Sequence, residues 1–360
     1  MQDNFDIDIF VREEIKGLVP YNPESRPEMI KMDANENPFL FPGDIQKKIY
    51  ELIDSRAFTR YPDALAGALV REISGCYGIA PDQVMVGNGS DELILNLMLA
   101  FGAGNRVVIA VPTFSMYAIH ARIAGGVITE VPRDQNFDLA VEALAREGAG
   151  AGLLVICSPN NPSGNSATTE QMVAILEACR CPVVVDQAYL EFGGVDFLPL
   201  LAKHNNLVIL RTFSKAFGLA GLRVGYLFAH PGILHYLCKV KQPFNLNNFS
   251  QTAALVVLRN RGVFTRQVAQ IGAEKDKLYK ALREMPGVRV YPSDANYLLF
   301  AVEAPANRVF EGLLAEKILV RNFSDPLLSE YLRVSVGTPA ENEIFLRGLR
   351  KVIDTLGEKK

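Results

Sequence analysis

Lys215 lies in the run Arg211-Thr212-Phe213-Ser214-Lys215-Ala216-Phe217-Gly218-Leu219-Ala220-Gly221-Leu222-Arg223, directly after the apolar stretch Leu207 to Leu210. An amine at the end of a strand, with hydroxyls beside it and an arginine eight residues on, suits a carbonyl cofactor that carries a phosphate. The amine forms a Schiff base, while the hydroxyls and the guanidinium hold phosphate oxygens. A lysine taken alone is ordinarily a solvated surface residue. Four further segments give this one its meaning.

Cys157-Ser158-Pro159-Asn160-Asn161-Pro162-Ser163-Gly164 leaves a second apolar run as a tight loop fixed by its prolines and glycine. Its asparagines offer side-chain donors, although an ordinary turn explains the loop equally well on its own. Val183-Val184-Val185-Asp186-Gln187-Ala188-Tyr189 ends a third run in a lone carboxylate. An ionised Asp after three valines is costly unless a cation meets it, and a protonated pyridine nitrogen is such a partner. A helix N-cap is the common alternative for an Asp at this kind of junction. Gly87-Asn88-Gly89-Ser90-Asp91-Glu92 precedes an apolar helix, and small residues there expose backbone N–H groups at the positive helix end, a cradle for phosphate. The third glycine of a dinucleotide fingerprint is missing. Pro112-Thr113-Phe114 ends one more run, where Phe114 either stacks on a flat ring or fills core. Ligands of open α/β sheets bind outside the carboxyl ends of the strands, so these pieces converge. The group they jointly fit is pyridoxal 5′-phosphate.

The elements that must position them alternate along the chain. Strands are predicted at Val84–Gly87, Arg106–Ala110, Val127–Val131, Leu153–Cys157, Val183–Asp186, Leu207–Leu210 and Val224–Phe228. Helices are predicted near Asp91–Phe101 with Ser90 as cap, Ser115–Ile123, Leu139–Glu147 and Thr168–Cys179. Strand and helix in alternation imply a mostly parallel seven-stranded sheet covered by helices on both faces. After Asn245 the pattern predicts a long helix from Phe249 through Arg283, short strands at Val288–Tyr291, Tyr297–Ala301, Leu319–Arg321 and Tyr331–Val336, and a last helix over Glu341–Leu356. The expected division is an N-terminal arm (1–42), a large domain (43–248) and a smaller α+β domain (249–360) packed with the arm.

With 360 residues, 49% of them hydrophobic, the chain can bury the cores of about two domains. A net charge of −3 without a basic block provides no footprint for nucleic acid or a membrane surface. No run is long and apolar enough to span a bilayer, and the acidic N-terminus lacks a signal-peptide layout. Five cysteines without paired spacing read as reduced thiols of a cytoplasmic protein. Cys179 and Cys181 lack a second pair, and four scattered histidines complete no ligand set, so no metal is expected.

Five stretches also carry a family pattern: Asn35-Glu36-Asn37-Pro38, Arg60-Tyr61-Pro62-Asp63, Ser158 to Gly164, Asp186 to Phe192 and Arg211 to Gly225. In order and over about Pro20 to Thr338, the chain resembles the fold-type-I pyridoxal-phosphate aminotransferases. The Asn35 stretch and Leu332-Arg333-Val334-Ser335-Val336-Gly337-Thr338 resemble the histidinol-phosphate aminotransferase family within them. The resemblance implies an aspartate-aminotransferase-like fold and a homodimer. It implies transamination of L-histidinol phosphate with 2-oxoglutarate to imidazole-acetol phosphate and glutamate, a step of histidine biosynthesis. An aromatic or broad-range aminotransferase and a threonine-phosphate decarboxylase share the pattern.

Carried over residue by residue, the resemblance makes Lys215 the Schiff-base lysine and proton carrier. Asp186 would hold the ring-nitrogen proton, and Asn161 and Tyr189 would bond the phenolic oxygen. Ser90, Asp91 (through its N–H), Thr212, Ser214 and Arg223 would surround the phosphate, with Tyr61 of the neighbouring subunit. Phe114 would stack on the ring. Arg333 would bind the substrate's acidic group, with Arg321, Tyr21 and Asn35 beside it. One departure is Gln187, where the family usually carries Glu after the aspartate.

Overall fold

Short runs of branched residues build the centre of the molecule, and the computed structural model describes residues 6–20 and 26–357. The strands are β1 (Val84–Gly87), β2 (Arg106–Val111), β3 (Val127–Pro132), β4 (Leu153–Cys157), β5 (Val183–Asp186), β6 (Leu207–Thr212) and β7 (Gly225–Ala229). They pair in the order β1-β7-β6-β5-β4-β2-β3. β7 runs antiparallel to both neighbours and every other pair is parallel.

Alternate strand residues serve two cores. Val108, Leu154, Ile156, Val183, Val185 and Ile209 face one, against helices that include Gly43–Leu52, Gly67–Tyr77 and Thr169–Ala178. Val107, Ile109, Leu153, Val155, Val184 and Leu210 face the other, against Gly89–Leu97, Met116–Ala124 and Pro231–Val240. Each fully buried aliphatic side chain contributes about 1.5–3 kcal/mol, which is why these strands read as continuous apolar runs and do not alternate. Local signals set the helix ends: Thr168 and Gln171 form a reciprocal capping box ahead of Thr169–Ala178.

The smaller sheet has β8 (Val288–Val290), β9 (Tyr297–Val302), β10 (Arg321–Asn322) and β11 (Tyr331–Ser335), all antiparallel in the order β10-β11-β9-β8. Its core of Leu282, Phe300, Val309, Leu313, Phe345 and Leu349 lies under the helices Arg261–Arg283, Ala306–Ala315 and Pro339–Gly357. Part of the arm joins this unit, whereas Arg12 reaches the Ile123 carbonyl of the large one. Ile30–Lys31 pairs in parallel with Ile318–Leu319, and Met32 is buried in the small core.

Three expectations change. The helix expected from Phe249 to Arg283 is two, Asn248–Arg259 and Arg261–Arg283. Asn260 breaks it: at φ −116 and ψ 23 its carboxamide donates to the Val256 carbonyl at 2.7 Å, so the side chain competes with the helical ladder. The first helix packs on the large sheet's core through Ala253 and Val257, while Leu278 and Leu282 of the second reach the small core. Residues of the first helix thus share the large core, and the far end of the second shares the small one. Second, the strand expected over Leu319–Arg321 is interrupted at Val320, whose side chain is buried in the small core. Third, the helix expected from Asp91 starts at Gly89, so Ser90 lies in its first turn and Asn88 occupies the cap position.

Candidate active site

Strands β2, β4, β5 and β6 all end at one edge of the large sheet. β1 ends there too, and β7 starts there because it runs the opposite way. The edge thus gathers residues 87–91, 112–114, 158–161, 186–189 and 212–215, with Arg223 just before β7.

At one end, β7 passes the start of the helix Gly89–Leu97 so closely that a Cβ on Gly225 would lie 2.4 Å from Ser90 N. Gly89 has φ +82, and its Cβ would lie 2.6 Å from Arg223 Nη2. Only glycine fits either place. Ser90 and Asp91 occupy the first helical turn, where N–H groups have no intrahelical acceptor and the helix dipole favours an anion. The Asn88 N–H is already capped by the Glu92 carboxylate, which Asn245 Nδ2 holds at 2.7 Å. Arg223 adopts a left-handed φ of 52, a strained value for a non-glycine residue. Its Nη2 pairs with Asp91 Oδ2 at 2.9 Å, and Nη1 donates to Ser214 Oγ at 3.4 Å. The side chain of Asp91 thus meets the arginine while its N–H stays in the first turn. The Thr212 hydroxyl, expected at the phosphate, donates to the Val224 carbonyl at 3.3 Å and accepts the Ser214 N–H at 3.1 Å. It shapes the turn that carries Ser214.

At the other end, Asp186 is buried on the β5 face turned toward the helix Met116–Ala124. Tyr117 donates its hydroxyl to Oδ2 at 2.7 Å, and the Ala188 N–H donates to Oδ1 at 3.0 Å. Neither is a cation, and burial pushes the carboxyl up to about 6. Tyr117 is also held edge-to-face by the half-buried Phe114, with ring centroids 5.5 Å apart. Lys215 Nζ donates to the Ala34 carbonyl at 2.9 Å. Burial first, and the Arg333 charge second, lower it to about 8.

Between these ends the arm crosses the site. Asp33 O accepts from Arg333 Nη2, Ala34 O accepts from Lys215, and Asn35 Nδ2 donates to the Tyr189 hydroxyl at 3.0 Å. Three consecutive residues of the arm each touch a different side chain of the site. Asn161 Nδ2 approaches the same hydroxyl at 3.5 Å, while its Oδ1 accepts from Arg333 Nη1 at 2.5 Å. Burial raises the Tyr189 phenol, which stays protonated. Arg333 lies over the Tyr297 ring at 5.1 Å, and its Nε is buried without a partner. Burial lowers it, and Arg321, its register partner across β10 and β11, adds like charge. Among the described residues no carboxylate pairs with Arg333.

Sequence reasoning named most of this cluster but missed Tyr117, Asp33, Ala34 and Ser335. Their contacts cross from 69 to 300 positions of chain; Ser335 lies in the stretch that resembles the family but carried no role there, and no motif marks the other three. Tyr61 is 81% exposed and stacks on Phe244 at 4.5 Å. Tyr21 lies outside the described residues. Gln187 faces away from Asp186, on the other side of β5. It donates to the Val195 carbonyl at 2.8 Å and accepts from Arg211 at 3.4 Å, while Asp196 supplies the arginine's negative partner at 2.5 Å. The departure at position 187 therefore alters a structural ion pair behind the sheet.

These residues fit pyridoxal 5′-phosphate. A buried carboxylate without a cation suits a pyridinium nitrogen, a lysine lowered to about 8 suits a carbonyl, and the glycine-lined helix start beside Arg223 and Ser214 suits a phosphate. Among the described residues no group of side chains has the make-up of a metal site, and no helix is long and apolar enough to cross a membrane.

The pattern of aminotransferase class I and II matches residues 27–349. A histidinol-phosphate aminotransferase of Thermoanaerobacter pseudethanolicus is 42% identical over 353 residues, covering 96% of this chain and 99% of the relative. One from Thermococcus gammatolerans is 39% identical, with 95% and 97% covered. In structure, the histidinol-phosphate aminotransferase of Sinorhizobium meliloti in complex with pyridoxal-5′-phosphate superposes with a TM-score of 0.86. That match is 24% identical and covers 96% of this chain and 98% of the other.

Proposed function

The chain belongs to the class I and II aminotransferases, with the fold-type-I architecture and a pyridoxal 5′-phosphate cofactor, and from that membership we propose that it transfers the amino group of L-histidinol phosphate to 2-oxoglutarate. The products are imidazole-acetol phosphate and glutamate. The observation that carries the substrate reading is Arg333, a buried guanidinium beside Lys215 whose hydrogen-bond partners, Asn161 Oδ1 and the Asp33 carbonyl, are both neutral. With Arg321 opposite it in the small sheet, it forms a cationic wall suited in turn to a phosphate and to a carboxylate.

Bound pyridoxal 5′-phosphate supplies an aldehyde for imine exchange and a protonated ring that accepts the electron pair released at the substrate's Cα. The chain's own residues do the rest. Lys215 Nζ, lowered to about 8, is neutral in a useful fraction near neutral pH, so it would take a proton from the substrate's Cα and deliver it to C4′, the cofactor's aldehyde carbon. Asp186, oriented by Tyr117 and the Ala188 N–H, keeps the ring nitrogen protonated. Tyr189 and Asn161 hold the ring oxygen. Ser90, Asp91, Ser214 and Arg223 hold the phosphate, and Phe114 covers the ring.

The reading includes a cytoplasmic homodimer in which Tyr61 reaches the partner's phosphate. Leu40 at 93%, Phe58 at 81% and Leu65 at 64% exposure are large apolar side chains that a second copy would cover. It also includes a large and a small domain that divide within the helix Arg261–Arg283, with part of the arm on the small one.

The test is kcat/KM for histidinol phosphate, phenylalanine and tyrosine with 2-oxoglutarate as acceptor. A preference of roughly hundredfold or more for the phosphorylated substrate is expected, because a site built for a charged group rejects analogues that lack it. Equal values would point to a broad-range enzyme, and CO₂ release without a 2-oxo acid would point to a decarboxylase. Lys215→Ala must abolish turnover.

A further inference from the structure

Asn35 was expected at the substrate, but its carboxamide is engaged entirely within the protein. Nδ2 donates to the Tyr189 hydroxyl at 3.0 Å, and Oδ1 accepts from Ser335 Oγ at 3.1 Å. Ser335 Oγ also accepts the Asn35 backbone N–H at 2.8 Å, and Asn296 Nδ2 donates to the Asn35 carbonyl at 3.0 Å. With its one proton given to Oδ1, the serine fixes which end of the amide faces Tyr189. The residue is 1% exposed and has φ +53, a left-handed value that asparagine tolerates better than most side chains.

The Tyr189 oxygen has one proton to give and two directions in which to accept. Asn35 Nδ2 occupies one, and Asn161 Nδ2 stands at the other at 3.5 Å. Both are donors, so neither takes the phenol's proton. Among the described residues no hydrogen bond supplies that proton with an acceptor, and a buried O–H left without one is costly. We propose that Asn35 is a positioning residue, which by donating to Tyr189 turns the hydroxyl proton toward the ring oxygen of bound pyridoxal 5′-phosphate. The inference rests on the reading of Tyr189 as that oxygen's partner. It also ties the donation to the seating of the arm, because the anchors of Asn35 belong to β11 and to the loop before β9, whereas Tyr189 follows β5.

A donor on the anionic ring oxygen eases loss of the proton next to it, so removing the donor holds that proton to higher pH. The experiment follows the bound cofactor's visible absorption against pH in holoenzyme. Tyr189→Phe should raise the midpoint by about one pH unit, the size of one hydrogen bond to a charged oxygen. Asn35→Asp offers Tyr189 an ionised acceptor and should raise it by the same amount, and the double variant should rise no further. Asn35→Gly keeps the left-handed backbone and its N–H to Ser335 while removing the donor to Tyr189 and the acceptor for Ser335 Oγ, so it carries the test if the first variant fails to fold. It should raise the midpoint by a smaller amount. If Tyr189→Phe moves the midpoint and neither Asn35 variant does, or if the shifts add, the inference is overturned. If Tyr189→Phe itself leaves the midpoint unmoved, the underlying reading of Tyr189 is overturned and the proposal with it.

Discussion

Replacing Asp186 by Asn should stabilise the cofactor-free protein, and should do so only above about pH 5. Burial carries this carboxyl from 3.8 up to about 6, with Tyr117 and the Ala188 N–H offsetting part of the penalty. Between these two values the folded protein binds the Asp186 proton more tightly than the unfolded chain does. The side chain's favourable contribution is thus fully present below pH 3.8 and is lost as the pH rises through about 6. A gap of about two pH units at roughly 1.4 kcal/mol each corresponds to about 3 kcal/mol. An amide has no charge to desolvate and keeps an oxygen for the Ala188 N–H, while the Tyr117 hydroxyl can turn to accept from it. Urea unfolding of the two apoproteins from pH 4 to pH 8, at equal slope, measures the difference. We expect Asp186→Asn to be more stable by about 2–3 kcal/mol at pH 8, with the gap closing near pH 4. With cofactor bound the order should reverse, because the ring nitrogen's proton has lost its anion. A gap independent of pH, or a less stable variant at pH 8, would refute the account of Asp186 as a charge awaiting its cation.

Lys215, lowered to about 8, should capture the cofactor aldehyde at a rate that rises with pH and levels off above that value, since the neutral amine is the nucleophile. Stopped-flow mixing of apoprotein with pyridoxal 5′-phosphate reads it, and a midpoint near 10 would mean an ordinary exposed lysine. Gly225→Ala sets a methyl 2.4 Å from Ser90 N and 2.5 Å from the Gly89 carbonyl carbon, contacts that only a backbone shift relieves. It should weaken cofactor binding by roughly tenfold or more and lower stability by about 2 kcal/mol. An unchanged affinity would show that the loop's position does not matter to the phosphate.

Local patterns made the large sheet legible. The inner parallel strands are short apolar runs because both of their faces are buried, while the edge strand β3 is mostly exposed and was legible from its β-branched residues. The residues at the sheet's edge were legible for the same reason, since Asp186, Asn161 and Lys215 each follow such a run directly. What joins them was not. The bond from Tyr117 to Asp186 spans 69 positions and that from Ala34 to Lys215 spans 181, and nothing local marks either partner. Asn260 looked like one more residue of a long helix, because the pattern of apolar residues does not reveal a carboxamide that folds back onto its own backbone. The partners of Asn35, Ser335 and Tyr189, come from two other regions of the chain, so no local pattern shows them.

The bond between Asn35 and Ser335 joins the first tenth of the sequence to the last, 300 positions away. During synthesis the whole large sheet leaves the ribosome well before Ser335 does, so the roof over Lys215 and Tyr189 is anchored only after Ser335 has emerged. Contacts of such separation form late and carry the largest loop-closure entropy. A nascent or prematurely ended chain can therefore own every residue at the sheet's edge and still hold Lys215 under an unanchored cover.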